Sequence, residues 1–206
     1  MSLSSTDRPI WHFIKDAADE LGHLPIIHST DLYCFKTIQE HGELAVQPCD
    51  VYVGESLLYF FYGRPSYRPH LSEGPLKVKS FAPVCMVFNH DLAGQAIRIM
   101  PFDSGAFHHG RIHPPMHPAM PKGVFELAVD ANAPTKLIKV FYGSEKRYLQ
   151  EDPISVDSFD PSYDFELDAY YKLIRIGHNR ALDERVSSIE LQYNKNVAIA
   201  GVVRAV

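Results

Sequence analysis

Three short segments concentrate side chains able to do chemistry. They are His28-Ser29-Thr30 at the end of an apolar run, residues 59–68 with the sequence YFFYGRPSYR, and Glu190 inside SSIELQ. An arginine offers a planar fork of donors that grips a carboxylate or phosphate at two points. A carboxylate held away from water stabilises positive charge developing in a reaction, and aromatic rings give faces to flat ligands. A fourth concentration, His108, His109, His113 and His117, carries the imidazoles used by zinc and other transition metals.

Each group has a second use that the sequence leaves open. Arg64, between Gly63 and Pro65, is either an anion fork or one half of an ion pair with an acid, and Arg68 competes with it. His28, assisted by Ser29 or Thr30, bonds a ligand hydroxyl or carbonyl, or is a satisfied structural group. Ser29, Thr30 and Asp31 equally fit the N-cap of a following helix. Strand alternation splits Tyr59, Phe61 and Tyr62 between the core and another surface. Glu190 either shares a solvated face with Ser188 and Gln192 or lines a cleft. In the histidine-rich stretch, Pro114, Pro115 and Pro118 preclude the helix that would align His113 with His117, and the spacing is not H-E-x-x-H. Asp103 offers a carboxylate ligand, but no cysteine lies nearby and the spacing is broken by proline, so no bound metal is expected. A metal-dependent hydrolase built on the 108–117 loop is the rival reading.

Positioning these groups falls to elements whose periodicity is readable. Helical spacing covers residues 10–21, stopping near Gly22, and runs again from Leu32 to a stop at Gly42. Short apolar runs predict strands at 25–28, 57–62, 84–88 and 96–100, and the Gly, Pro and His density of 102–121 predicts a loop. Helices follow at 135–149 and 165–174, then strands at 188–192 and 197–203. Strands spread from start to end favour an α+β fold over a regular βαβ winding. One domain over 1–206 is expected, with 1–7 flexible.

The order of these pieces resembles the ADP-ribosyltransferase fold, and within it the DarT-type DNA ADP-ribosyltransferase toxins. The shared pattern is a strand ending in His-Ser/Thr, a helix stopping at Gly, a strand of the form F-x-Y-G-R-P, and a late strand carrying Glu. It spans residues 26–68 and 185–203, about a third of the chain. The resemblance implies a split, mostly antiparallel sheet with flanking helices, and NAD⁺ as substrate. It implies that Glu190 is the catalytic carboxylate, facing the oxocarbenium-like ribose left when nicotinamide departs and orienting the nucleophile. Arg64, matching the family's arginine, becomes a cofactor-binding and catalytic group. His28, Ser29, Thr30, Tyr59 and Tyr62 become NAD contacts, one aromatic stacking on nicotinamide, and Arg185 a loop anchor. The setting implied is a toxin or phage-defence module held by an antitoxin or other inhibitory partner, acting on nucleic acid. Protein or water is the other acceptor, and a degenerate fold that only binds a partner is the non-enzymatic reading.

Composition bounds these expectations. A net charge of −5 and pI near 6.1 give no general attraction to nucleic acid, so any such contact needs a local patch, from Lys77, Lys79 and Arg98 or from Arg111 with its histidines. Cys34, Cys49 and Cys85 form an odd set without C-x-x-C spacing, which points away from a disulfide framework or cysteine zinc site and towards a reducing cytoplasm. No apolar run approaches the roughly 20 residues of a membrane span.

Overall fold

The computed structural model of the chain describes residues 9–65, 78–112, 114–176, 187–201 and 203–206. Helix α1 (Ile10–Ile14) buries Ile10 and Ile14 and is shorter than the pattern over 10–21 predicts. Its continuation is polar, and Asp19 there accepts a hydrogen bond from Thr135 Oγ1 at 2.8 Å. Strand β1 (Ile26–Asp31) leads directly into α2 (Leu32–His41), where the Asp31 carboxylate accepts from Cys34 N at 2.7 Å. Asp31 is therefore the helix cap, and Ser29 and Thr30 remain strand residues. Gly42 ends α2 at φ 73°, a left-handed conformation that glycine adopts without a Cβ penalty.

Two-residue strands β2 (Glu43–Leu44) and β3 (Gln47–Pro48) precede β4 (Ser56–Tyr62), β5 (Pro83–Phe88) and β6 (Arg98–Met100). The stretch expected to be a loop over 102–121 contains α3 (Ser104–His108), started by Asp103, whose carboxylate accepts from Ala106 N at 2.7 Å. The long helix predicted over 135–149 is two, α4 (Ala133–Phe141) and α5 (Glu145–Leu149), separated at Gly143 and restarted by a Ser144 cap. After α6 (Phe165–Ile176) come β7 (Glu190–Tyr193), β8 (Val197–Ala198) and β9 (Val203–Ala205).

Among the described residues, the main sheet runs β6-β7-β4-β1-β5-β9, with β3 also on β4, and β2 pairs with β8 apart from it. Every described pairing is antiparallel, so the fold is α+β with an antiparallel sheet and flanking helices. The order makes neighbours of the strands carrying Ser29 (β1), Tyr59 (β4) and Glu190 (β7). Register then sorts side chains by face, because directly paired residues share one. Ile26 pairs with Tyr62 and Phe88, and Phe60 with Leu191. These fully buried side chains form an apolar face, closed by edge-to-face packing of Phe60 on Phe88 and Tyr193. Phe61 pairs with Glu190, Glu190 with Met100, and Tyr59 with Gln192, itself opposite Arg98. Glu190, Gln192 and Arg98 thus gather on its other face. No helix among the described residues is long and apolar enough to cross a membrane.

Candidate active site

Glu190 is buried, with 2 % of its surface exposed. Its carboxylate accepts three hydrogen bonds: Oε1 from Ser104 Oγ at 2.7 Å and from Gln192 Nε2 at 2.6 Å, and Oε2 from Ser104 N at 3.1 Å. The exposed-strand alternative for this residue is therefore overturned. Burial raises its pKa to about 7, the Asp103 carboxylate adds to the rise, and the Gln192 and Ser104 hydrogen bonds oppose it. Beyond Gln192 the polar chain continues: Arg98 Nη1 donates to Gln192 Oε1 at 2.5 Å, and the same guanidinium pairs with Glu55 at 3.1 Å and lies 3.8 Å from the Tyr52 ring centre.

Glu190 lines a cleft of about 470 Å³ with Ser29, Thr30, Tyr59 and Phe61 on one side and Asp103, His109 and Arg111 on the other. Tyr59 presents its ring there while its hydroxyl lies 2.8 Å from Cys49 Sγ, and burial foremost holds the phenol well above its ordinary pKa. It is a neutral aromatic wall. Asp31 and Asp103, both on the cleft, are committed as helix caps, and Asp50 lies 3.1 Å from His109 Nε2.

Three expected ligands stand elsewhere. His28 shares the apolar face with Phe60, its ring centre 5.4 Å away, and its Nδ1 lies 2.9 Å from Tyr59 O. Burial lowers its pKa, so it is neutral at neutral pH. It opens into a second cavity of about 450 Å³, whose wall shares Thr30 and Cys34 with the first. Tyr62, expected as a cofactor contact, is fully buried, and its hydroxyl accepts from Leu24 N at 3.0 Å; strand alternation turns it away from the face that bears Tyr59. Arg64, expected to open onto the cofactor, is 5 % exposed. It donates to Glu151 at 2.7 Å and to Ser187 O at 2.5 Å, with its guanidinium carbon 4.2 Å from the Tyr148 ring centre. The ion-pair alternative describes it. Arg68, Arg185, Lys77 and His113 lie outside the described residues.

Sequence reading missed that Ser104 and Gln192 hold Glu190. The Asp103-Ser104 pair is an ordinary helix-start signal, masked by the surrounding Gly, Pro and His. In the histidine-rich stretch, His109 faces Asp50 and His117 Nδ1 accepts from Ala119 N at 3.1 Å. Among the described residues no group of three or more His, Cys, Asp or Glu is arranged to hold a metal.

Burying Glu190 has a measurable consequence. Its folded pKa is raised above the ordinary 4.5, so the native state binds the proton more tightly than the unfolded chain. Its contribution to stability is fully present below about pH 4.5 and is lost as pH rises through about 7. The expected result is a melting temperature that falls between these limits in wild type, with that component absent in Glu190→Gln. Parallel pH profiles of the two proteins would refute it.

Family models, curated proteins and solved structures were compared with the chain, and none of the three comparisons gives a match.

Proposed function

We propose that the chain is an NAD-consuming ADP-ribosyltransferase with Glu190 as its catalytic carboxylate. The observation that carries this reading is the carboxylate itself, buried, oriented by three hydrogen bonds and set in the wall of a cleft on neighbouring strands with Ser29 and Tyr59. When the bond between the ribose and nicotinamide breaks, the electron pair leaves with nicotinamide and positive charge grows on the ribose. A fixed carboxylate beside it stabilises that charge without reorganising, and the acceptor's nucleophile closes the new bond. The ionised form of Glu190 does this work, so turnover rises with pH through its titration. Tyr59 supplies a ring face for nicotinamide. Ser29 and Thr30 supply hydroxyls. Resemblance adds a toxin or defence setting with an inhibitory partner, and a cytoplasmic site suits the free thiols of Cys34, Cys49 and Cys85. The deciding experiment incubates the protein with labelled NAD⁺ and separate protein, DNA and RNA pools. Label in one pool names the acceptor, and nicotinamide release in none refutes the reading.

With Arg64 committed inside the protein, the cleft's guanidinium is Arg111, exposed and without a side-chain partner among the described residues. Gly110, at φ 67°, turns the chain after α3 so that Arg111 N bonds Ala106 O and the residue returns to the cleft. A charged hydrogen bond to the pyrophosphate contributes about 1.5–3 kcal/mol. Arg111→Ala is therefore expected to raise KM for NAD⁺ roughly 10- to 100-fold with little change in kcat. Steady-state kinetics checks this, and an unchanged KM would remove Arg111 from the cofactor.

A further inference from the structure

We propose that Arg98 is a positioning residue for Glu190, acting through Gln192 to decide which carboxylate oxygen faces the substrate. This deepens the Glu190 reading and rests on it. Gln192 is fully buried, and its amide touches groups of opposite demand: the Arg98 guanidinium at Oε1, and at Nε2 the Glu190 carboxylate together with Ser104 Oγ at 3.2 Å. Arg98 has only donors to give, so Gln192 must turn its oxygen to Arg98 and its nitrogen to Glu190. A flipped amide would set its oxygen against the carboxylate and its nitrogen against the guanidinium. Arg98 is in turn held by Glu55, bonded from Nη2 at 3.1 Å, by Glu126 at 3.7 Å from Nε, and by the face of Tyr52.

The consequence at Glu190 follows from counting acceptor sites. Each carboxylate oxygen has two. Oε1 spends both, on Gln192 Nε2 and Ser104 Oγ, whereas Oε2 spends one, on Ser104 N. The one open site on the carboxylate is on Oε2, which the structure assigns as the atom that meets the ribose. Other charged or titratable groups around it are Asp103 before α3, Tyr59 on β4, Tyr52, and Lys122, which donates to Val51 O at 3.0 Å. Of these, only Tyr52 interacts with the Gln192 side chain, and its phenol, able to donate or accept, imposes neither orientation on the amide.

The test reads Glu190 directly and needs no substrate. Protein labelled with ¹³C at glutamate carboxyls is titrated by NMR, and the Glu190 signal is identified by its absence in Glu190→Gln. Removing the cation in Arg98→Met frees the amide and is expected to raise the Glu190 midpoint by about one pH unit or more. Arg98→Lys keeps a donor for Gln192 Oε1 and restores the midpoint to within a few tenths of a unit of wild type. Glu55→Gln, at a half-exposed position beyond Arg98, leaves the cation less neutralised and lowers the midpoint. A merely structural arginine would not give shifts of opposite sign on its two sides. If Arg98→Met fails to fold, Glu55→Gln decides alone, a lowered midpoint supporting the relay and an unchanged or raised one overturning it. An unmoved midpoint in folded Arg98→Met overturns it as well. Because the readout is a titration, relay failure is separable from failure of the transferase reading, which the labelled-NAD⁺ experiment tests by itself.

Discussion

Glu190→Gln is expected to cut nicotinamide release and acceptor labelling on the order of 10²-fold or more while the protein stays folded. The side chain keeps its volume, and the amide oxygen still accepts from Ser104 Oγ and Gln192 Nε2, the two donors at Oε1. At the other position an NH₂ group now faces Ser104 N–H, exchanging a 3.1 Å hydrogen bond for two opposed donors, at a cost of about 1–3 kcal/mol. Above neutral pH that loss is offset by removal of a buried negative charge. Rate responds differently. A carboxylate facing an oxocarbenium-like centre interacts most strongly when positive charge is greatest, so its loss falls on turnover more than on ground-state affinity for NAD⁺. The measurement is turnover and NAD⁺ affinity for both proteins, with melting curves at matched pH. Near-normal turnover by folded Glu190→Gln would take Glu190 out of the mechanism and most of the transferase case with it.

The same residue shows how far sequence reaches. A glutamate between Ile189 and Leu191 announces a strand, yet whether its face is wet or buried depends on what pairs opposite. Here the opposing residues are Phe61 and Met100, far away along the chain. Strand identity was legible because apolar runs and breakers are local: residues 57–62 and 84–88 start one residue inside β4 and β5 and end with them, and Gly42 stops α2 where its left-handed backbone requires. Helix starts were less legible. Asp31 and Asp103 both cap helices, but Asp31 follows two other residues able to cap, and Asp103 sits among glycine and histidine that suggest a loop. Side-chain direction was legible only as alternation. That Tyr59 and Tyr62 part company was readable, whereas the choice of Tyr59 for the cleft required the register of β4 against β7. Gln192, two residues from Glu190, was readable as its neighbour on one strand face, whereas that Ser104 meets the carboxylate could not be read, since it comes from 86 positions away along the chain.

Arg64→Ala is expected to lose about 3–5 kcal/mol of stability, and Arg64→Lys a substantial part of it, instead of the selective loss of NAD⁺ affinity that a cleft arginine would give. Gly63 sets the geometry: at φ 69° the chain turns sharply after β4, and a Cβ there would come 2.5 Å from Leu24 Cδ1. After the turn the guanidinium is buried. There it bridges Glu151 on one side and Ser187 on the other, and stacks on Tyr148. The Tyr148 hydroxyl accepts from Ile189 N and donates to Tyr62 O, so this cluster ties β4 to the backbone entering β7. Glu151 holds φ 56°, the single left-handed non-glycine residue among those described, a conformation that costs of order 1 kcal/mol or more and persists only where surrounding contacts enforce it. Removing one partner of a buried ion pair leaves the other uncompensated, the origin of the 3–5 kcal/mol. Lysine keeps the charge but cannot form the fork to Glu151 and Ser187 together. Urea melts of Arg64→Ala, Glu151→Gln and the double variant measure the coupling, and the double variant should be less destabilised than the two single losses added together. A folded Arg64→Lys protein with unchanged melting and lost NAD⁺ affinity would instead return Arg64 to the cofactor and displace Arg111 from that role.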